Sequence, residues 1–301
     1  MNALRALFDL CKQTFESWRA DYAQSMGAAL AYYTVFSVAP LILIVISVVG
    51  LVFGRDEARG EIMEQISALM GAEGAHAVDI MLQHLHRPAQ GIIASVVGIA
   101  LVLVGATTVF GELQDAFDRI WRAPAPQDVN GLLDLVRVRL LSFSMIMGIG
   151  FLLIVSLIVN AALGALGEWW APAFGGWTTL AQHVNSVFGF GIVTVGFAMI
   201  FKVMPRVRVQ WRDVWIGAFV TAVLFAVGKY LIGLYIGKTG IASGYGAAGS
   251  LVVVLVWVYY SAQIFLLGVE FTWVYAHAYG SFKGQPRPAA RVSPTRADLP
   301  A

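Results

Sequence analysis

Apolar residues in this chain run in long unbroken stretches, unlike the short alternating patterns of a soluble fold. No charged residue interrupts 22–54, 88–111, 140–167, 169–201 or 239–269, and each stretch exceeds the roughly 20 residues that carry a helix across hydrocarbon. A sixth stretch, 214–237, is apolar except for Lys229. Transmembrane strands would instead alternate in segments of about 10 residues. The pattern therefore predicts an all-α polytopic membrane protein, a bundle of six transmembrane helices with spans near 27–53, 90–112, 139–164, 181–202, 214–237 and 248–275.

Outside the spans the period changes. Leu4, Leu7, Phe8, Cys11, Phe15, Trp18 and Tyr22 fall on one stripe of a helix, with Arg5, Asp9, Lys12, Glu16 and Arg19 off it. Residues 1–25 thus read as an amphipathic helix, either lying in the membrane interface or capping the bundle. The largest loop, 54–89, predicts two short amphipathic helices, Ile62, Ile66, Leu69 and Met70 on one and Val78, Met81, Leu82 and Leu85 on the other. A turn at 71–74 joins them. The membrane domain occupies 26–280, and the Pro-, Arg- and Ala-rich residues 281–301 read as a disordered tail.

Composition agrees, with 58% hydrophobic and 13% charged residues against roughly 25% charged in soluble domains. Charge placement adds orientation. Arg5, Lys12, Arg19, Arg119, Arg122, Arg137, Arg139, Lys202, Arg206, Arg208, Arg212, Lys283, Arg287, Arg291 and Arg296 share one side, and Arg55, Arg59, Arg87 and Lys238 the other. Lys and Arg concentrate in cytoplasmic loops, so both termini are expected in the cytoplasm. Cys11 is the only cysteine, which excludes an intrachain disulfide.

A charge inside hydrocarbon costs a few kcal/mol on insertion scales, roughly 2.5–3.5, so ionisable residues within spans are functional candidates. Lys229 either snorkels outward or attracts an anionic group. Glu270, inside the cytoplasmic end of the last span, either pairs with an inner-loop base such as Arg208, Arg212 or Arg122, or serves a substrate or proton path. Glu112 has the same alternatives. Tyr32, Tyr33 and Gln263 are polar candidates for that path, with interhelical hydrogen bonding as the plain alternative. Pro40 is a candidate kink in the first span. Arg206, Arg208 and Arg212 suit anionic lipid headgroups, and no nucleic-acid partner is expected. The chain lacks Gly-x-Ser-x-Gly, a Walker A loop and His-Glu-x-x-His, so no enzyme, metal or cofactor is expected. His84 and His86 point to different helix faces.

Several strings taken together carry a resemblance: Leu30-Ala31-Tyr32-Tyr33-Thr34-Val35-Phe36-Ser37-Val38-Ala39-Pro40, Gly228-Lys229-Tyr230-Leu231-Ile232-Gly233-Leu234-Tyr235, Tyr245-Gly246-Ala247-Ala248-Gly249-Ser250 and Gly268-Val269-Glu270-Phe271-Thr272. In order and spacing they resemble the YihY/BrkB family of bacterial inner-membrane proteins, over most of residues 20–280. The resemblance implies six spans in the cytoplasmic membrane, a link of one branch to serum resistance and virulence, and for another the movement of envelope lipid precursors. It supplies no catalytic residues. The older ribonuclease BN label is not carried over, because the chain shows no His and Asp cluster for a nuclease's metals. The expected function is a transporter or translocase of anionic lipid or glycolipid. The alternative is a non-transporting factor that recruits or stabilises envelope proteins. Membrane lipids are the expected partners, with room for a homo-oligomer.

Overall fold

A computed structural model describes residues 3–85, 108–124, 148, 155, 177–239 and 248–285. Every regular element among the described residues is a helix. These are α1 (Ala3–Ala20), α2 (Ala23–Phe53), α3 (Arg55–Leu85), α4 (108–120), α5 (Trp177–Val203), α6 (Trp211–Thr239) and α7 (Gly249–Ala278). Among the described residues three stretches, Ser186–Val203 in α5 and the whole of α6 and α7, are long and apolar enough to cross a membrane. The expected spans at 90–112 and 139–164 lie largely outside the described residues, so the count of six is a matter of sequence.

Helix α7 is the hub, packed against α1, α2, α3 and α6. Its contact with α6 is close because small residues interlock. A methyl group added at Gly217 would fall on the Thr272 side chain, and one added at Gly268 would fall on Thr221. Each threonine donates its hydroxyl to the carbonyl four residues back in its own helix, Thr221 to Gly217 and Thr272 to Gly268, both at 2.7 Å. The polar group is thus satisfied within the helix, and its methyl face fills the partner's glycine notch, the small-residue packing that brings membrane helices together. Gly228 meets Tyr260 and Ile264 in the same way, which makes α6 and α7 antiparallel. By contrast Gly233 and Gly237, which share the four-residue spacing of small residues, meet nothing among the described residues.

Two apolar cores divide the bundle. One, at the α1 end, gathers Phe117, Ile120, Phe201, Leu266, Val269 and Trp273. The other lies under α3 and gathers Val78, Leu82, Ile232, Ile236, Val253 and Val254. Gly71, at φ +79°, breaks α3 into two helical halves. The halves are tied by Arg59, which donates to Asp79, and Gln83 donates to the same carboxylate at 2.7 Å. The Arg59 guanidinium holds the Asp79 carboxyl below the usual carboxylate range, against the opposing effect of its partial burial.

Helix α1 presents three faces. Leu10, Thr14 and Asp21 are buried, while Leu7, Phe8, Cys11, Phe15 and Tyr22 of the apolar stripe are exposed. The charged residues Arg5, Asp9, Lys12, Glu16 and Arg19 form the remaining exposed arc. The chain stays packed beyond α7. Asp213 accepts hydrogen bonds from the Ser281 amide at 2.9 Å and its hydroxyl at 2.6 Å, and Phe282 stacks on His277.

Candidate functional site

Charge is gathered at the α1 end of the bundle by two backbone turns. Asp21 and Tyr22 form the turn between α1 and α2, with Tyr22 in the left-handed region at φ 56°. Arg122 ends α4, also left-handed, at φ 53°. Its amide bonds to the Arg119 carbonyl, and the Ala123 amide reaches back to Asp118 at 2.9 Å. This is the paired-bond helix terminus that glycine usually completes. A non-glycine residue pays roughly 1–2 kcal/mol for that conformation, and here the arginine side chain supplies the compensation.

One terminal nitrogen of Arg122 donates to both Asp21 carboxylate oxygens at 2.6 Å. It also donates to the Arg119 carbonyl at 2.7 Å. The guanidinium lies 5.3 Å over the Trp273 ring, a further source of attraction for a cation. The pair is enclosed, with the arginine side chain 6% and the aspartate 1% exposed. Glu270 of α7 is 0% exposed and has Asp21 and Arg122 as its charged neighbours. Counting eight residues from Ala278 at 1.5 Å each places it about 12 Å inside the helix end.

Surrounding contacts fix the frame. Arg119 stacks over Tyr22 at 5.6 Å, Arg206 bridges to Asp118 at 3.1 Å, and Trp121 packs against Phe282. Lys202 donates to the Val209 carbonyl at 2.6 Å and stands over Trp211. These contacts join the turn before α2 and the segment after α7 to the helix ends around Trp121.

Of the residues singled out in sequence, the structure places Glu270 at this centre. Of its three suggested partners it meets Arg122. Lys229 stands apart, exposed on α6; the level of Glu270 on that helix is near Phe219, ten residues or about 15 Å away along the axis. Gln263 lies over Gly27 and donates to the Gln24 carbonyl at 3.3 Å, joining α7 to α2. Tyr32 is exposed, in edge contact with Tyr33 and Phe36. Tyr33 and Glu112 are half-buried. Helix α2 runs through Pro40 without a break; Ser37 donates to the Thr34 carbonyl at 3.0 Å. Arg208 and Arg212 are exposed, whereas Arg206 is engaged by Asp118. The side chains of His84 and His86 lie outside the described residues.

Sequence reading did not single out Asp21. The signal was there: Asp21 continues the row of Leu10, Thr14 and the half-buried Ser17 at helical spacing, apart from the arc holding the other charges.

The model of the virulence factor BrkB family matches residues 14–292. Among similar proteins are UPF0761 membrane proteins of Acinetobacter baylyi, 24% identical over 90% of this chain, and of Pseudomonas paraeruginosa, 28% identical over 82%. The chain covers 62% and 58% of the lengths of these two relatives. A UPF0761 membrane protein of Alteromonas mediterranea is 26% identical over 95% of this chain and 94% of its own length. No solved structure matches. A family model matching 14–292, beyond both limits of 26–280, leaves one assignment: the chain is an integral membrane protein of the BrkB virulence-factor family.

Proposed function

We propose that this protein is a transporter of the bacterial cytoplasmic membrane, most simply a translocase for anionic lipids or lipid-linked envelope precursors. The observation that carries the reading is Lys229, a cation on an exposed helix face among Val223, Val227, Tyr230 and Leu231. A cation on the outer face of an apolar helix can draw an anionic headgroup along that face. The exposed Arg208 and Arg212 give such a headgroup attraction at the α1 end. In this reading six spans cross the membrane, both termini are cytoplasmic, and α1 lies in the inner interface with its apolar stripe in lipid. No residue is assigned a catalytic role.

The test is movement of a labelled anionic phospholipid in proteoliposomes, comparing the natural chain with Lys229→Met. Protein-dependent movement that the substitution abolishes, with folding intact, is the expected result. Movement no faster than in empty liposomes would overturn the reading. One observation favours a second reading, a non-transporting factor that holds or recruits envelope proteins. The interlocked glycine–threonine seam of α6 and α7 suits a rigid scaffold, and under that reading cysteines placed along α6 stay silent to water-soluble reagents.

A further inference from the structure

The buried cluster has an unbalanced charge count. Asp21 and Glu270 contribute two carboxyl groups and Arg122 one guanidinium, so with both acids ionised the enclosed group carries one net negative charge. Other charged groups at this end make their contacts away from the cluster: Arg119 on Tyr22, Asp118 with Arg206, Lys202 on the Val209 carbonyl and Asp213 with Ser281. His277 contacts the Trp273 carbonyl and stacks on Phe282. An isolated net charge in a water-poor interior is strongly unfavourable.

Hydrogen-bond accounting points the same way. Arg122 spends one terminal nitrogen on both oxygens of Asp21 and on the Arg119 carbonyl. Neither oxygen of Glu270 accepts a hydrogen bond from a described residue, and the Arg122–Asp21 pair stands beside it, with the guanidinium 5.3 Å over the ring of Trp273, one turn along α7. Two ionised carboxylates are both acceptors and repel. Once one is protonated, an O–H···O⁻ bond joins them, the short charge-assisted kind, and the cluster becomes neutral.

We infer that Asp21 and Glu270 together bind one proton, with Arg122 balancing the remaining carboxylate, so that the α1 end of the bundle is a proton-binding site. The step balances: two carboxylates and one proton become one carboxylic acid hydrogen-bonded to one carboxylate, and the net charge goes from minus one to zero. Loss of the proton sets like charges on the α1–α2 turn and on α7 against each other. Release therefore favours separation of these two elements. The inference stands whether or not the protein moves lipid.

Infrared spectroscopy of the full chain in lipid nanodiscs tests it directly. The natural protein at neutral pH should show the carbonyl stretch of a buried protonated carboxyl group, shifted by deuterium exchange. Glu270→Gln and Asp21→Asn should each remove it, and strong alkali should remove it from the natural protein. Absence of that band at neutral pH, or its persistence in both variants, overturns the proposal. Stability gives a second readout, because Glu270→Gln copies the protonated carboxyl without its charge. Its melting temperature should match or exceed the natural value and lose the natural protein's fall at alkaline pH. A variant as destabilised as Arg122→Met would count against the shared proton. If neither variant folds, the deuterium-sensitive band of the natural protein decides.

Discussion

Arg122→Met is the sharpest perturbation the structure offers, because it removes the cation and leaves a side chain of similar length. The cation lost is 6% exposed and holds both Asp21 oxygens at 2.6 Å. Removing one partner of so enclosed a pair costs about 3–5 kcal/mol, chiefly because the remaining charge stays buried without compensation. The same enclosure means that solvent screening, which reduces exposed pairs to about 1 kcal/mol or less, provides little relief here. Two comparisons separate charge from backbone. Arg122→Gly loses the same ion pair but relieves the left-handed strain, so it should be more stable than Arg122→Ala by about 1 kcal/mol. The triple variant Asp21→Asn, Arg122→Met, Glu270→Gln removes all charge at once and should recover most of the loss, since neutral replacement of a buried ionic group is often tolerated. The assay is equilibrium unfolding in mixed micelles with rising dodecyl sulfate, followed by tryptophan fluorescence. A loss below about 1 kcal/mol for Arg122→Met would refute the reasoning, because it would mean that water reaches the pair.

Further outcomes follow from other parts of the bundle. Gly268→Val places a branched side chain on Thr221 in the α6–α7 seam; overpacking should cost about 1–3 kcal/mol in the same unfolding assay, whereas Gly233→Val, facing open space, should cost much less. Cys11 is the sole cysteine and is exposed on the apolar stripe of α1, so an environment-sensitive dye there should emit as in hydrocarbon in nanodiscs and be quenched by lipid-borne quenchers. Emission typical of water would remove α1 from the interface. In α3, the Asp79 carboxyl is held below its usual value by Arg59. Its contribution is therefore full above the unfolded value of about 3.9 and is lost as pH falls through the lower folded value. Amide exchange should show the two halves of α3 loosening in acid, and Asp79→Asn should remove that acid dependence; unchanged protection in the natural protein would contradict it.

The helices were legible because hydrocarbon imposes one rule, continuous apolar sequence, on every residue of a span. The unbroken α6 and α7 follow from it directly. Their mutual packing was legible only in hindsight, since Gly217-x-x-x-Thr221 and Gly268-x-x-x-Thr272 gain meaning once the two helices are antiparallel and in register. Gly233 and Gly237 have the same small-residue spacing, yet a methyl group added at either would meet nothing among the described residues, so spacing alone does not choose the interface.

The charged centre shows the same limit more sharply. The cost of burial marked Glu270 as special, and the excess of bases on one side named Arg122 among its possible partners. Asp21 was out of reach of both arguments, because an aspartate near a chain end needs no explanation while it is thought to be wet. Its burial depends on three separate local decisions, the turn at Tyr22, the helix stop at Arg122 and the depth of Glu270 on α7. Two of these place a non-glycine residue in a left-handed conformation that costs stability. Strain accepted on both sides of one buried cluster is better explained by what the cluster holds than by packing, for an apolar contact at 21, 122 and 270 would have required neither the strain nor the charge.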